Sequence, residues 1–207
     1  MGLLKDFVNQ TRKPEGGLGK MMLKTMNSGH AKMADWGLSY LEIKRPERVV
    51  DLGCGGGRNI GALLDKFPTA LGTAIDHSEL SVEKAKEYNS QSISDGRLEV
   101  KQGDVSALDL ADASYDLATA FETIYFWPGL EKCFKEVARI LKDGGHFLIA
   151  NECDGTDAAG TKFEKIVDGM KCYTIEQISD ALKAAGFSEV KSDHYGSKPW
   201  IVVGAKK

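Results

Sequence analysis

The stretch Val49-Val50-Asp51-Leu52-Gly53-Cys54-Gly55-Gly56-Gly57 decides how the rest of the chain is read. A short β-branched run ends on a carboxylate and opens at once into glycine, the residue that enters left-handed backbone at least cost. A strand closing in such a turn lets the backbone approach a ligand, and the free N–H groups of a following helix face polar or anionic atoms. Gly53, Gly55 and Gly57 stand at that junction. Alone, they are equally consistent with a turn that glycine merely shapes, so the surrounding sequence has to decide.

Outward from the turn, short apolar or β-branched runs alternate with helical patterns, the signature of an α/β fold with a parallel sheet covered by helices. After Val49-Val50-Asp51, strands are predicted at Leu71–Ile75, Leu98–Lys101, Tyr115–Thr119 and Gly145–Ala150. Apolar residues at helical spacing predict helices over Asn59–Phe67, Glu79–Tyr88 and Leu130–Leu141, the last stopped by Lys142-Asp143-Gly144-Gly145. Thr174 with Gln177 three residues on matches a capping box, starting a helix that runs to Ala185. Ser188–Lys191 and Trp200–Gly204 follow without a helix between them, so they can pair as an antiparallel hairpin. Residues 1–44 and the loop-rich stretch Asn151–Tyr173 lie outside the alternation. Both can cover the carboxyl edge of the sheet, where open α/β sheets place ligands.

Asp76, about 25 residues beyond Asp51 at the end of the second strand, sits where an acidic side chain reaches ribose hydroxyls in nucleotide-binding folds. Gly103-Asp104 follows the third strand and offers an acceptor for an exocyclic adenine amine, or forms only a capped turn.

With these pieces the sequence resembles the class I S-adenosylmethionine-dependent methyltransferases, especially the group containing the ubiquinone and menaquinone C-methyltransferases. The resemblance spans about residues 46–150. It rests on Val49–Gly57, Ala74-Ile75-Asp76-His77-Ser78, Gly103-Asp104-Val105, Ser114-Tyr115-Asp116-Leu117 and Leu141–Gly145, in the family's order. It implies a Rossmann-like, doubly wound, mostly parallel seven-stranded sheet with an antiparallel C-terminal hairpin strand and an N-terminal helical cap. It also implies one domain over residues 1–207: a cap or lid (1–44), a cofactor-binding core (45–150), a lid insertion (151–173) and a C-terminal helix and hairpin (174–207). The cofactor would be S-adenosyl-L-methionine, with Gly53, Cys54, Gly55 and Gly57 around its methionine part and Asp51 near its amino group. Asp76 would bind the ribose, His77 would flank the adenine, Gly103, Asp104 and Val105 would hold the adenine edge, and Phe121 would lie beside the methionyl group.

The rival is a nicotinamide enzyme, whose fingerprint G-x-G-x-x-G requires glycine where this chain has Arg58. A second rival, a non-catalytic sensor of S-adenosylmethionine, would carry the same motifs. Composition narrows the partners. With 27 Lys+Arg against 30 Asp+Glu, no strong field favours nucleic acid or an anionic membrane, and a small-molecule substrate is the simpler expectation. No run approaches the roughly 18 apolar residues of a spanning helix, and Met1–Asp6 lacks a signal peptide's apolar run, so a cytoplasmic location is expected. Cys54, Cys133, Cys153 and Cys172 form no C-x-x-C pair and read as reduced structural thiols. The oligomeric state leaves no mark on the sequence.

S-adenosylmethionine brings an already activated methyl group, so the protein's task is to align the acceptor and exclude water. A base is needed only if the acceptor arrives protonated. Glu122, the one carboxylate in Ala120–Pro128, is the candidate, or else it fixes the loop. Tyr125, Phe126 and Trp127 form a substrate wall or pack as core; Tyr125 can also join the catalytic group. Near the N-terminus, Met22, Met26 and His30 share one helical face, and glycines at Gly16-Gly17-Leu18-Gly19 suggest a hinge for a lid over the acceptor. His30 is a second candidate base. His146 and His194 read as structural. No metal is expected, because an isolated Glu122 cannot supply the oxygen ligands of a magnesium site.

Overall fold

The computed structural model describes residues 10–207. Seven strands form one sheet in the order β3-β2-β1-β4-β5-β7-β6. These are β1 (Arg48–Leu52), β2 (Leu71–Asp76), β3 (Leu98–Gln102), β4 (Tyr115–Phe121), β5 (Leu141–Asn151), β6 (Ser188–His194) and β7 (Ile201–Lys206). β1 to β5 run parallel, while β7 lies antiparallel between β5 and β6. The fold is Rossmann-like, as expected. Val49 and Val50 show why β1 reads as a continuous apolar run. Both are fully buried, Val49 on one face of the sheet and Val50 on the other.

The helices follow in chain order: α1 (Gly16–Gly29), α2 (Ala31–Ser39), α3 (Arg58–Lys66), α4 (Glu79–Tyr88), α5 (Ser90–Ser94), α6 (Leu130–Ile140), α7 (Ala158–Ile166) and α8 (Ile175–Ala184). Met33, Ile60, Leu63 and Val82 bring α2, α3 and α4 onto one face; Phe134, Val137, Ile178 and Leu182 bring α6 and α8 onto the other. Each such side chain contributes roughly 1.5–3 kcal/mol of burial. Thr174 and Gln177 form the capping box of α8.

Three sequence expectations change. α6 stops at Ile140, because Leu141 is extended and pairs with Tyr115 as the first residue of β5; Gly144, at φ +78°, turns within that strand's early part rather than capping the helix. Gly16, Gly17 and Gly19 lie inside the first turn of α1 rather than in a hinge, and a Cβ on Gly19 would stand 2.8 Å from the Pro14 carbonyl carbon. Cys153 and Cys172 are not separate thiols but a disulfide, with Cα atoms 6.2 Å apart; Cys54 and Cys133 are free and buried. Their 19-residue separation carries no signal in the sequence, and only the turn after β5 brings them together. No helix among the described residues is long and apolar enough to cross a membrane.

Candidate functional site

Strand order reverses between β1 and β4, which opens a crevice at their carboxyl ends. The glycine turn sits there, with Gly53, Gly55 and Gly57 at φ +80°, +51° and +81°. They do different things. A Cβ on Gly53 would stand 2.0 Å from Thr123 Oγ1, and one on Gly57 would stand 2.6 Å from Asn89 Nδ2 and 2.8 Å from Ala85 Cα. Those two glycines allow β1 and α3 to pack against their neighbours. A Cβ on Gly55 would meet nothing nearer than 4.0 Å among the described residues, and the Gly55 N–H donates to Asp76 Oδ2 at 2.9 Å. The Ser78 N–H donates to Asp76 Oδ1 at 2.9 Å, so the carboxylate is held in place from both sides.

A cavity of about 310 Å³ opens over this turn. Gly53, Gly55, Asp76, His77, Gly103, Asp104 and Val105 line it. Asp104 accepts the Ser106 N–H at 2.8 Å, and that bond holds its carboxyl below the usual carboxylate range. Asp51 and Cys54 are buried behind the turn, and Gly57 is the residue before α3. Asp51 accepts from the Thr119 hydroxyl at 2.8 Å through Oδ1, while its Oδ2 has no hydrogen-bond partner among the described residues. Burial pushes its carboxyl up to about 7. Phe121 does not reach the cavity. It packs in the core under α2, close to Gly37.

A second cavity, about 510 Å³, adjoins the first. Met22, Met26 and His30 all line it, from α1 and the residue that follows, as does Tyr125. Phe163, Val167 and Met170, from α7 and the chain after it, and Trp200 close other sides. Trp127 stands apart from this wall: it stacks on Phe147, meets Phe134 edge-on and borders the first cavity, its Nε1–H donating to Thr123 Oγ1 at 3.3 Å. Its indole is large enough to fill the space under α6, so core packing takes it from the substrate side.

Glu122 lines both cavities. It follows β4 with φ +57°, a left-handed conformation that costs a non-glycine residue about 1–3 kcal/mol and clusters at functional sites. Its Oε1 accepts from the Tyr125 hydroxyl at 2.9 Å and from the Glu152 N–H. Its Oε2 lies 3.7 Å from His30 Nδ1, which in turn is 3.1 Å from Glu152 Oε2. Burial pushes the Glu122 carboxyl up to about 7 against the lowering effect of His30 and its hydrogen bonds. Burial alone would lower His30, but the Glu152 and Glu122 carboxylates outweigh it and raise it.

Glu152 is the residue that sequence reading missed. It is 30 positions from Glu122, yet the parallel register Phe121↔Ala150 places the two side by side beyond the ends of β4 and β5. His30, Glu122 and Glu152 offer ligand-type atoms within 4.8 Å of one another, so Glu122 is not the isolated carboxylate on which the argument against a metal rested.

A family model described as a methyltransferase domain matches residues 50–149, from β1 to the end of the parallel sheet. Over those residues the chain is similar to methyltransferase domains. A sterol 24-C-methyltransferase of Gibberella zeae is 29% identical over 172 residues, which cover 76% of this chain and 45% of the relative. A malonyl-[acyl-carrier protein] O-methyltransferase of Methylococcus capsulatus is 30% identical over 152 residues, 72% of this chain and 54% of that protein. The chain thus spans about half the length of these curated relatives. Among solved structures, the complex between the Haloferax volcanii Trm112 methyltransferase activator and a methyltransferase gives a TM-score of 0.83 at 22% identity, covering 91% of this chain and 94% of the other. That likeness extends the methyltransferase-type fold beyond the matched domain to the helices and hairpin around it.

Proposed function

We propose that this chain transfers the methyl group of S-adenosylmethionine to a small molecule held in the second cavity, with Glu122 as general base. One observation carries the reading: Glu122 is shared by the cofactor cavity and by an apolar cavity large enough for a drug-sized molecule. The donor binds over the glycine turn. Gly55 leaves its methionine part room beside Gly53, Asp76 takes the ribose hydroxyls, and His77, Gly103, Asp104 and Val105 hold the adenine. Asp51 Oδ2, without a hydrogen-bond partner among the described residues, provides a buried acceptor on the amino-group side.

The sulfonium supplies an activated methyl group. The chain's residues align the acceptor, keep water out and manage its proton. Tyr125 and the Glu152 N–H fix the Glu122 carboxylate, and His30, about one-third exposed, connects it to solvent. α1 with residues 10–44, and the segment 151–173, act as the two covers of the acceptor side. In this reading the partner is a small molecule, not nucleic acid.

Glu122→Gln tests the assignment. Turnover should fall about 10²–10⁴-fold with donor affinity unchanged, the usual range for a lost general base. Tight donor binding with no S-adenosylhomocysteine formed from any thiol, phenol, quinol, alkene or amine acceptor would instead identify a sensor.

A further inference from the structure

The walls of the acceptor cavity carry a charge pattern that the reading above does not use. Glu122, Glu152 and Asp157 all line it, and among the described residues His30 is the single basic group of the lining, with no lysine or arginine. Asp157 caps α7 by accepting the Gly160 N–H at 2.6 Å through Oδ1, while its Oδ2 is buried with no hydrogen-bond partner among the described residues. Glu122 Oε2 and Glu152 Oε2 are turned toward His30 rather than toward donors of the fold. Around these carboxylates stand Tyr125, Phe126, Phe163 and Trp200, rings whose faces attract cations.

We propose that the acceptor is a hydrophobic amine, bound through its ammonium form by the carboxylates and methylated on nitrogen. This rests on the reading of the second cavity as the acceptor site. A phenolate, thiolate or enolate would gather negative charge beside three carboxylates in a largely apolar cavity, and that repulsion raises its barrier. An alkene offers nothing to the buried Asp157 Oδ2 and adds no positive charge to the two carboxylates that share the single imidazole of His30. An ammonium pairs with them on arrival.

The proton and charge then balance. The ammonium passes one N–H proton to the Glu122 carboxylate, which becomes a carboxylic acid. The freed nitrogen lone pair forms the N–C bond as the C–S bond breaks toward sulfur, and the positive charge moves from sulfur to nitrogen. The carboxylates stabilise that charge where it develops, which lowers the barrier instead of only improving binding. The proton on Glu122 leaves to solvent through His30.

The test compares matched probes in the intact protein saturated with S-adenosylhomocysteine. Benzyltrimethylammonium should bind at least about tenfold tighter by calorimetry than neopentylbenzene, its neutral isostere, and benzylsulfonate should not bind. Glu152→Gln with Asp157→Asn, which keeps the α7 cap, should bring the cation preference close to unity while S-adenosylhomocysteine affinity, the measure of an intact fold, stays unchanged. In turnover, secondary and tertiary amines with apolar substituents should produce S-adenosylhomocysteine. Equal binding of cation and neutral isostere, or turnover of phenols, thiols or alkenes without amines, overturns the proposal. The base assignment fails separately: Glu122→Gln with full turnover removes Glu122 as base and leaves the cation preference standing.

Discussion

The Tyr125 hydroxyl donates to Glu122 Oε1 at 2.9 Å and accepts from the Cys153 N–H at 3.1 Å, so one phenol ties the candidate base to the chain after β5. A hydrogen bond to a carboxylate favours its ionised form, and here it opposes the burial that pushes Glu122 up to about 7. Methyl transfer that needs ionised Glu122 should therefore rise with pH through about 7. Tyr125→Phe removes the opposing bond and should move that limb to higher pH, with less activity at pH 7 and recovery near pH 9. Initial rates between pH 5.5 and 9.5 at saturating donor decide it. A limb that stays in place in Tyr125→Phe separates the hydroxyl from the base.

Asp76 has one duty in the fold and a proposed one toward the donor, and two variants tell them apart. Its carboxylate orders the glycine turn through Gly55 N–H and the start of α4 through Ser78 N–H, and it also faces the donor cavity. Asp76→Ala should weaken S-adenosylhomocysteine binding at least about 30-fold, in line with losing hydrogen bonds to a charged group at roughly 1.5–3 kcal/mol each. Asp76→Asn keeps one oxygen but not the double acceptor, and should lie between. Calorimetry with circular dichroism as the control for folding measures both; affinity unchanged in Asp76→Ala sinks the ribose role.

Asp51 makes stability without donor pH-dependent. Burial lifts its carboxyl from the ordinary 3.8 to about 7 in the folded chain, so the native state holds a proton that the unfolded state releases. Stability from this group is full below about pH 4 and is lost as pH climbs to about 7, a change on the order of 4 kcal/mol for three units. Asp51→Asn keeps an oxygen for the Thr119 hydroxyl and cannot ionise. It should match the parent near pH 4 and melt several degrees higher at pH 8, at roughly 2–4 °C per kcal/mol, while binding the donor more weakly. Thermal melts at both pH values, without ligand, are the check; parallel behaviour would falsify the buried-charge account.

The parallel sheet and its glycine turn were legible because both obey local rules: Val49 and Val50 are apolar in succession, and each of the three turn glycines has a positive φ. The two reasons for those glycines were not separable beforehand. Gly53 and Gly57 answer to Thr123 and Asn89, contacts that exist only after folding. Glu152 was invisible for a related reason. Its meeting with Glu122 depends on β4–β5 register, a pairing across 30 residues that no local pattern reports. Phe121 and Trp127 lie outside the lining of the second cavity for a different reason. Their types suit a ligand wall and a core equally, and adjacency to β4 could not say which way they turn. His30 joins the site through the break between α1 and α2, where its backbone sits at φ −88° and ψ 0°.

Cys153 and Cys172 close a loop around α7, one of the acceptor's proposed covers, and both are buried. Cross-linking a loop of this size restricts the unfolded chain and is worth roughly 3 kcal/mol. Under non-reducing denaturation, thiol titration should count two free groups, Cys54 and Cys133, and four after reduction. Reducing the bond, or Cys172→Ser, should loosen the residues between them before the rest of the sheet. Hydrogen exchange would then speed up over 154–171, while β1, β4 and the donor cavity keep their protection and S-adenosylhomocysteine affinity holds. Acceptor affinity should fall, because Cys153 lines the acceptor cavity and Tyr125 is tied to its N–H. Four titratable thiols in the unreduced denatured protein would refute the pairing, and equal exchange over 154–171 in both redox states would show that the bond does not brace the cover.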